Sequence, residues 1–320
     1  MVKRTLSTLL LVLTIIFPFS LSLLSCKSRT ASLSGRQSAV LHSDGAIGAM
    51  AIENIPDDVS KYPKIAAAQA FVCDADSEKM LFARGAGKVL YPASTTKLLS
   101  ILCALEILDT DAEITPGDEL DLVNEHSSLA FVRRNHTLTV EMLIEGMLLP
   151  SGNDAAYALA AAAGKELAGN KAWAREAVDT FVAYMNDYAE RLGMCGSHFT
   201  SPDGFYDPDN YSTVEDMALL SLAASKNPII TKYACLESDN VTYASGHTNT
   251  WVNTNRMLHE DDVYYEPSVT GLKTGTAAED NSCLICTFTL GGNNYIAGVF
   301  SEIDKDIRFE DMKKIIDFYK

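Results

Sequence analysis

A serine and a lysine three residues apart, Ser94 and Lys97, could together carry out nucleophilic chemistry. A serine hydroxyl is a poor nucleophile at neutral pH and needs a base within hydrogen-bonding distance. An apolar stretch follows Lys97 and favours a helix, on which residues at i and i+3 share one face. A lysine in water has a pKa of about 10.4, so burial and a neighbouring cation must lower the pKa of a lysine that accepts a proton.

Two more motifs follow in order along the chain. Ser151-Gly152-Asn153 comes after Pro150, and Lys273-Thr274-Gly275 lies in a stretch that favours a strand. The ordered set S-x-x-K, S-x-N and K-T-G is typical of enzymes in which a serine attacks an amide and lysine takes the place of histidine. We therefore predict Ser94 as the nucleophile, Lys97 as the base, and Lys273 as the cation that lowers the pKa of Lys97.

The residues around the motifs resemble the D-alanyl-D-alanine carboxypeptidases, the low-molecular-mass penicillin-binding proteins of peptidase family S11. The resemblance covers roughly residues 63 to 320. Besides the motifs it rests on four segments: Tyr91-Pro92-Ala93, Ser201-Pro202-Asp203-Gly204-Phe205, Tyr211-Ser212-Thr213 and Asn253-Thr254-Asn255. In one departure, this chain has Ser201-Pro202-Asp203-Gly204 where the family often has Asn-Pro-His-Gly, so the role of this loop is left open.

The resemblance implies an activity and a role for the second motif. The enzyme would remove the terminal D-alanine from peptidoglycan stem pentapeptides through an acyl-enzyme on Ser94, and β-lactam antibiotics would be covalent inhibitors. Ser151 would relay a proton to the leaving amine, and Asn153 would bind the amide of the substrate.

The third motif is implied to hold the other end of the substrate. Lys273 and Thr274 would bind the carboxylate of the terminal D-alanine, and Gly275 would let the substrate approach the strand. The backbone N–H groups of Thr276 and Ser94 would form the oxyanion hole.

Two alternatives share part of this pattern. A class A β-lactamase has the same motifs but adds a glutamate in an E-x-x-L-N segment, and the window from Tyr184 to Leu192, where that segment would fall, lacks it. Glu166 with Asn170 comes too early and inside a predicted helix. The other alternative is a non-catalytic lipoprotein that binds penicillin or peptidoglycan, which turnover of a D-Ala-D-Ala peptide would distinguish from the enzyme.

The start of the chain predicts export. Lys3 and Arg4 precede an apolar stretch, and residues 1–25 are typical of an export signal that ends at Ser25-Cys26. This boundary resembles the lipobox of bacterial lipoproteins, so we predict lipidation of Cys26. The alternatives are an ordinary cleaved signal or an uncleaved anchor. Each places the protein outside the cytoplasm, in the periplasm or on the outer face of the cytoplasmic membrane.

Residues 26–62 are rich in serine, alanine, glycine and charge, and we predict a flexible tether there. Because the chain stops at Lys320, before the C-terminal domain and amphipathic helix of many relatives, the N-terminal lipid is expected to supply the membrane attachment.

Composition excludes several other classes of function. The formal net charge is −16, which argues against nucleic acid as a partner. The six histidines show no metal-ligand spacing, and we predict neither a metal nor another cofactor. Cys283 and Cys286 lie in a predicted strand, where residues three apart point to opposite faces.

The predicted elements place strands at both ends of a catalytic domain, residues 63–320, and helices in its middle. They are a hairpin of 65–73 and 79–84; helices over 95–108, 140–149, 154–167, 171–192 and from 212; strands 269–276, 283–290 and 294–300; and a final helix over 306–319. This order predicts an α/β fold, a mixed antiparallel sheet with helices on both faces and an inserted all-helical lobe, as in penicillin-binding proteins and serine β-lactamases. The active site should lie where the lobe meets the strand that carries Lys273.

Overall fold

The computed structural model describes residues 51–52, 62–169, 171–276, 281–302 and 304–320. Its strands are β1 Ala51–Ile52, β2 Gln69–Asp74, β3 Lys79–Arg84, β4 Glu113–Ile114, β5 Leu138–Thr139, β6 Ser238–Thr242, β7 Thr248–Val252, β8 Val269–Thr276, β9 Ser282–Leu290 and β10 Asn293–Glu302. Six of them form one sheet in the order β1-β3-β2-β10-β9-β8. All pairings in this sheet are antiparallel except that of β1 with β3. The third motif therefore lies on an edge strand.

Helices fill the middle of the domain and close its end. They are α1 Lys97–Leu105, α2 Val140–Leu148, α3 Asn153–Ala168, α4 Ala174–Arg191, α5 Val214–Ser225, α6 Pro228–Ala234 and α7 Ile307–Tyr319. No helix in the described part of the chain is both long and apolar enough to cross a bilayer.

The sheet has an apolar core on each face, because side chains alternate along its strands. Phe71 belongs to the core shared with α1 to α5, whereas its neighbour Val72 belongs to the core under α7, with Phe309. Cys283 and Cys286 likewise lie in opposite cores, as their spacing predicts. The predicted fold class, with helices on both faces of a mixed sheet, is confirmed.

The sequence predicted an all-helical inserted lobe, and this detail is wrong. Two short pairs of antiparallel strands accompany its helices. β4 pairs with β5, and β6 pairs with β7. The hairpin of β6 and β7 ends next to the site, since Thr254, two residues beyond β7, lies 2.5 Å from Thr274, measured between their Oγ1 atoms.

Three predicted helix starts differ from the structure. Ser94 lies in a short 3₁₀ helix, Ala93–Thr96, and the α-helix begins only at Lys97. The cap of α5 is Thr213, whose hydroxyl accepts from the N–H of Asp216, and not Ser212, whose backbone pairs with Leu90. α4, predicted over 171–192, begins at Ala174, after a turn, and Asn170 lies outside the described residues.

Candidate active site

The turn that carries Ser94 is fixed by contacts with its own first residues. The N–H and hydroxyl of Thr95 both donate to the carbonyl of Pro92, at 3.1 and 2.5 Å. Ala93 has a φ of +48°, unusual for a residue with a side chain. This conformation sets Ser94, half-buried, directly before the first turn of α1.

Lys97 is fully buried and donates to three acceptors. Its Nζ lies 2.9 Å from Ser94 Oγ, 2.7 Å from Asn153 Oδ1 and 3.0 Å from the carbonyl oxygen of Asp203. These contacts use all three hydrogens of an ammonium group. The neutral amine would lie within reach of the serine proton.

Burial lowers the pKa of Lys97 to about 8, and the carboxylates of Asp203 and Asp154 oppose that shift. The predicted effect of burial is thus confirmed as the leading cause. The prediction that the charge of Lys273 also lowers this pKa is not confirmed, because the charges that act on it are those of Asp203 and Asp154. Desolvation penalises the charged form of any amine enclosed this completely.

The second motif joins α2 to α3 through a tight loop. Ser151 has a φ of +61°, and the N–H of Gly152 donates to the carbonyl of Gly146 at 2.9 Å. Asn153 opens α3 and is held by its side chain, whose Nδ2 donates to Ser127 Oγ at 2.8 Å. The loop thus directs Asn153 Oδ1 to Lys97.

Lys273 connects the third motif to the second. Its Nζ donates to Ser151 Oγ and to the carbonyl of Thr274, both at 2.9 Å. Burial, followed by the nearby charges of Lys97 and Arg308, lowers the pKa of Lys273 well below its usual value. The site therefore contains two amines and two serine hydroxyls, those of Lys97, Lys273, Ser94 and Ser151.

Gly275 permits a close approach of another part of the chain, while the predicted approach of the substrate stays a prediction. A Cβ at this position would lie 3.1 Å from both the Cβ of Ala93 and the carbonyl oxygen of Pro92. What lies against Gly275 is therefore the turn before the nucleophile, and the missing side chain lets β8 pack against it. Thr276, at the exposed end of β8, is the last residue described before 281.

Arg308 on α7 is a site residue that the sequence reasoning missed. It is buried, and its Nη1 donates to the carbonyl of Gly275 at 2.7 Å and to Thr276 Oγ1 at 3.1 Å. Its Nε has no hydrogen-bond partner in the described structure. It places a guanidinium behind the end of the strand that carries Lys273, where a substrate carboxylate is predicted to bind.

The loop that departs from the family pattern holds Lys97 through its backbone. The carbonyl of Asp203 accepts from Lys97, and that of Pro202 accepts from Ser100 Oγ at 2.6 Å. Gly204 has a φ of +75°, and a Cβ there would lie 1.9 Å from the carbonyl oxygen of Ala93. The loop therefore packs against the turn of Ser94, which gives it a structural role that the sequence left open.

The structure thus brings together Ser94, Lys97, Ser151, Asn153, Lys273, Thr274 and Gly275, with Thr276 at the rim. Cys26 lies outside the described residues, so its predicted lipidation stays a prediction. Among the residues that are described, no group of three or more histidine, cysteine, aspartate or glutamate side chains could hold a metal ion.

Comparison with known proteins decides the family. A family model described as D-alanyl-D-alanine carboxypeptidase, peptidase S11, matches residues 57–303. The chain belongs to this family.

Individual relatives agree with the family match. The chain is 31% identical over 265 residues to the D-alanyl-D-alanine carboxypeptidase of Streptomyces sp. strain K15, a match that covers 80% of this chain and 88% of the relative. It is 29% identical over 257 residues to D-alanyl-D-alanine carboxypeptidase DacF of Bacillus subtilis, covering 79% of this chain but only 61% of that protein. The crystal structure of the Streptomyces K15 DD-transpeptidase is similar, with a TM-score of 0.72 at 29% identity, covering 80% of this chain and 98% of that one.

This member of the D-alanyl-D-alanine carboxypeptidase family lacks the glutamate arrangement of the class A β-lactamases in its described residues. Glu166 is exposed on α3, and the window from Tyr184 to Leu192 lies in α4 and its C-cap. The two carboxylates that raise the pKa of Lys97 both accept hydrogen bonds from neighbouring groups. Asp154 accepts from the N–H groups of Ala130 and Val132, and Asp203 accepts from Ser201 and Phe205.

Proposed function

We propose that this protein is a serine D-Ala-D-Ala carboxypeptidase that shortens peptidoglycan stem pentapeptides. The observation that carries the proposal is the 2.9 Å contact between Ser94 Oγ and the fully buried amine of Lys97. With a pKa of about 8 for Lys97, roughly a tenth of the enzyme holds the neutral amine at pH 7. This arrangement provides a nucleophile and a base without histidine.

In the first half-reaction, the neutral amine of Lys97 takes the proton of Ser94 as Oγ bonds to the carbonyl carbon of the penultimate D-alanine. The N–H groups of Ser94 and Thr276 would stabilise the oxyanion, and losing one such donor typically costs about 10²–10³ in rate. The C–N bond then breaks, and the proton that Lys97 took from Ser94 passes through Ser151 to the leaving amine. Free D-alanine departs and an ester on Ser94 remains.

In the second half-reaction, water attacks that ester and restores the Ser94 hydroxyl. Among the described residues of the site there is no glutamate in the class A β-lactamase arrangement to activate this water. A β-lactam would acylate Ser94 in the same way and stay bound, because its ring-opened product keeps the leaving nitrogen attached. This favours a penicillin-inhibited enzyme over the β-lactamase alternative.

Release of D-alanine from diacetyl-L-lysyl-D-Ala-D-Ala tests the proposal. We expect turnover by the wild type, no turnover by Ser94→Ala, and a stable adduct of the wild type with fluorescent penicillin. Penicillin binding with no turnover of the peptide would instead indicate the non-catalytic lipoprotein.

We further propose that the protein acts outside the cytoplasm and is attached to a membrane by a lipid on Cys26. The support is the apolar stretch and the Leu23-Leu24-Ser25-Cys26 boundary in the sequence. Cys26→Ala should abolish incorporation of labelled palmitate, with Cys235→Ala, an exposed cysteine, as the matched control. Undiminished labelling of Cys26→Ala would refute the lipid anchor while leaving the proposed activity untouched.

A further inference from the structure

Phe131 adopts a backbone conformation that is rare for a bulky residue. Its φ is +60°, and the other described non-glycine residues with positive φ are Glu78, Ala93 and Ser151. Ala93 precedes the nucleophile and Ser151 opens the second motif, whereas Glu78 lies in the turn between β2 and β3. Strained residues of this kind cluster at active sites, which directs attention to Phe131.

A buried carboxylate holds Phe131 in this conformation. Asp154 Oδ1 accepts from the N–H of Ala130 at 2.8 Å, and Oδ2 accepts from the N–H of Val132 at 2.7 Å. The carbonyl of Ala130 also accepts from Trp251 Nε1 at 3.0 Å. Buried side chains therefore hold the backbone on both sides of Phe131, and Phe131 lies at the surface between them.

The segment that carries Phe131 forms one wall of the site. The backbone N–H of Asn153 donates to the carbonyl of Ser128, and Asn153 Nδ2 donates to Ser127 Oγ, both at 2.8 Å. A Cβ on Gly152 would lie only 2.5 Å from the Cβ of Ala130. The segment thus packs directly against the motif that is predicted to bind the substrate amide.

The wall presents apolar side chains to solvent. Phe131 is 60% exposed and Leu129 is 37% exposed, whereas Ala130 and Val132 between and beside them are buried. No contact in the described structure shows that the exposed ring of Phe131 stabilises the fold. The ring is available to contact a ligand.

We propose that Phe131, together with Leu129, forms an apolar ledge that binds the side chain of the residue before the terminal D-Ala-D-Ala. The inference rests on the proposed function. If Lys273 holds the terminal carboxylate and Asn153 holds the amide, the upstream part of the peptide leaves the site past Asn153, toward this segment. The ledge would select donors whose upstream residue has a long aliphatic side chain. When such a side chain packs on the ledge, the apolar surfaces of both are removed from water.

Two donors and three variants test the ledge. The donors are acetyl-L-norleucyl-D-Ala-D-Ala and acetylglycyl-D-Ala-D-Ala, which differ only in the upstream side chain. Phe131→Gly removes the ring and tolerates the positive φ, so the fold should be kept. We expect it to lower kcat/KM about tenfold for the norleucyl donor, mainly through KM, with a change under about twofold for the glycyl donor. Phe131→Leu should restore most of the preference.

The control is Val263→Ala, which removes an exposed apolar side chain from the loop before β8 and should leave both donors unaffected. An equal loss for both donors in Phe131→Gly, or no loss for either, would overturn the ledge. Failure of the wild type to release D-alanine from either donor would instead contradict the proposed function itself.

Discussion

Lys97 is the residue whose environment and role are most closely linked. Enclosure lowers its pKa to about 8, which brings the neutral amine within range of physiological pH. Its bond to the loop runs to the backbone carbonyl of Asp203, while the carboxylate of the same residue raises the pKa of the amine. The charge of Asp203 can therefore be changed without removing the contact.

We expect the kcat/KM of the wild type to rise with pH around 8, since Lys97 must lose its proton before it can act as a base. Asp203→Asn removes the negative charge that favours the ammonium form, so the rising limb should move to lower pH. Asp209→Asn, an exposed carboxylate six residues on, serves as the control. A limb that stays in place or moves upward in Asp203→Asn would contradict this origin of the pKa.

The same burial should make stability depend on pH. Because the pKa of Lys97 is lower in the folded protein than in the unfolded chain, the unfolded chain binds more protons between about pH 8 and 10.5, and stability rises with pH across that range. Lys97→Met lacks this contribution. Between pH 7 and 9.5 the wild type should gain about 2 kcal/mol in the free energy of unfolding relative to the variant. Urea denaturation at both pH values measures it, and parallel pH dependences would rule it out.

The motif residues could be predicted because their side-chain types are required by the chemistry. Their supports could not. The contact of Asp203 with Lys97 uses a backbone carbonyl, which any residue would supply. Arg308 lies on α7 and contacts the backbone of β8 at Gly275, and no spacing in the sequence indicates that contact. The opposing effect of Asp203 and Asp154 on the pKa of Lys97 depends on their distance from the amine, which only the packed structure reveals.

At the scale of elements, the crossing of α3 and α4 depends on a missing side chain. A Cβ on Gly164 would lie 1.8 Å from the carbonyl oxygen of Ala177. The helix backbones therefore meet at this point, and α3 is the helix that begins with Asn153.

Gly164→Ala should destabilise the protein by about 1–3 kcal/mol or more, since the helices must move apart. Ala162→Gly, at a half-buried position on the same helix, should cost about 1 kcal/mol or less through helix propensity alone. Thermal unfolding compares the two. Equal stability of Gly164→Ala and the wild type would show that the crossing is not tight.

Elements with clear periodicity were predicted well, as the hairpin of β2 and β3 and the strands β8 to β10 show. The region from 228 to 252 was not predicted, although it holds α6, β6 and β7. Each strand of that hairpin buries a single side chain and carries threonine and asparagine outside, so the apolar signal is weak. Ser94 was expected on an α-helix, but it lies in a 3₁₀ helix. The hydrogen bond from the hydroxyl of Thr95 to the carbonyl of Pro92 favours this tighter turn.

At the scale of the whole molecule, the net charge of −16 opposes the approach of an anionic peptide. The Arg308 guanidinium and the protonated form of Lys273 would act only after the peptide has come close, because charges separated by more than the Debye length are screened. Long-range repulsion and local attraction should therefore respond differently to salt.

We expect kcat/KM for a donor peptide of net charge −2 to rise severalfold as ionic strength increases from about 10 to about 150 mM, because screening weakens the repulsion. A donor of net charge zero is the control and should change little. A steady fall for the anionic donor over this range would mean that attraction dominates at long distance.

The central claim is that Ser94 is the acylated nucleophile, and the site of covalent attachment tests it most directly. The protein is incubated with benzylpenicillin, digested, and the adduct is located by mass spectrometry. We predict one penicilloyl group on the peptide that contains Ser94 in the wild type, and no adduct in Ser94→Ala. An adduct on the Ser151 peptide, or one that persists in Ser94→Ala, would contradict it.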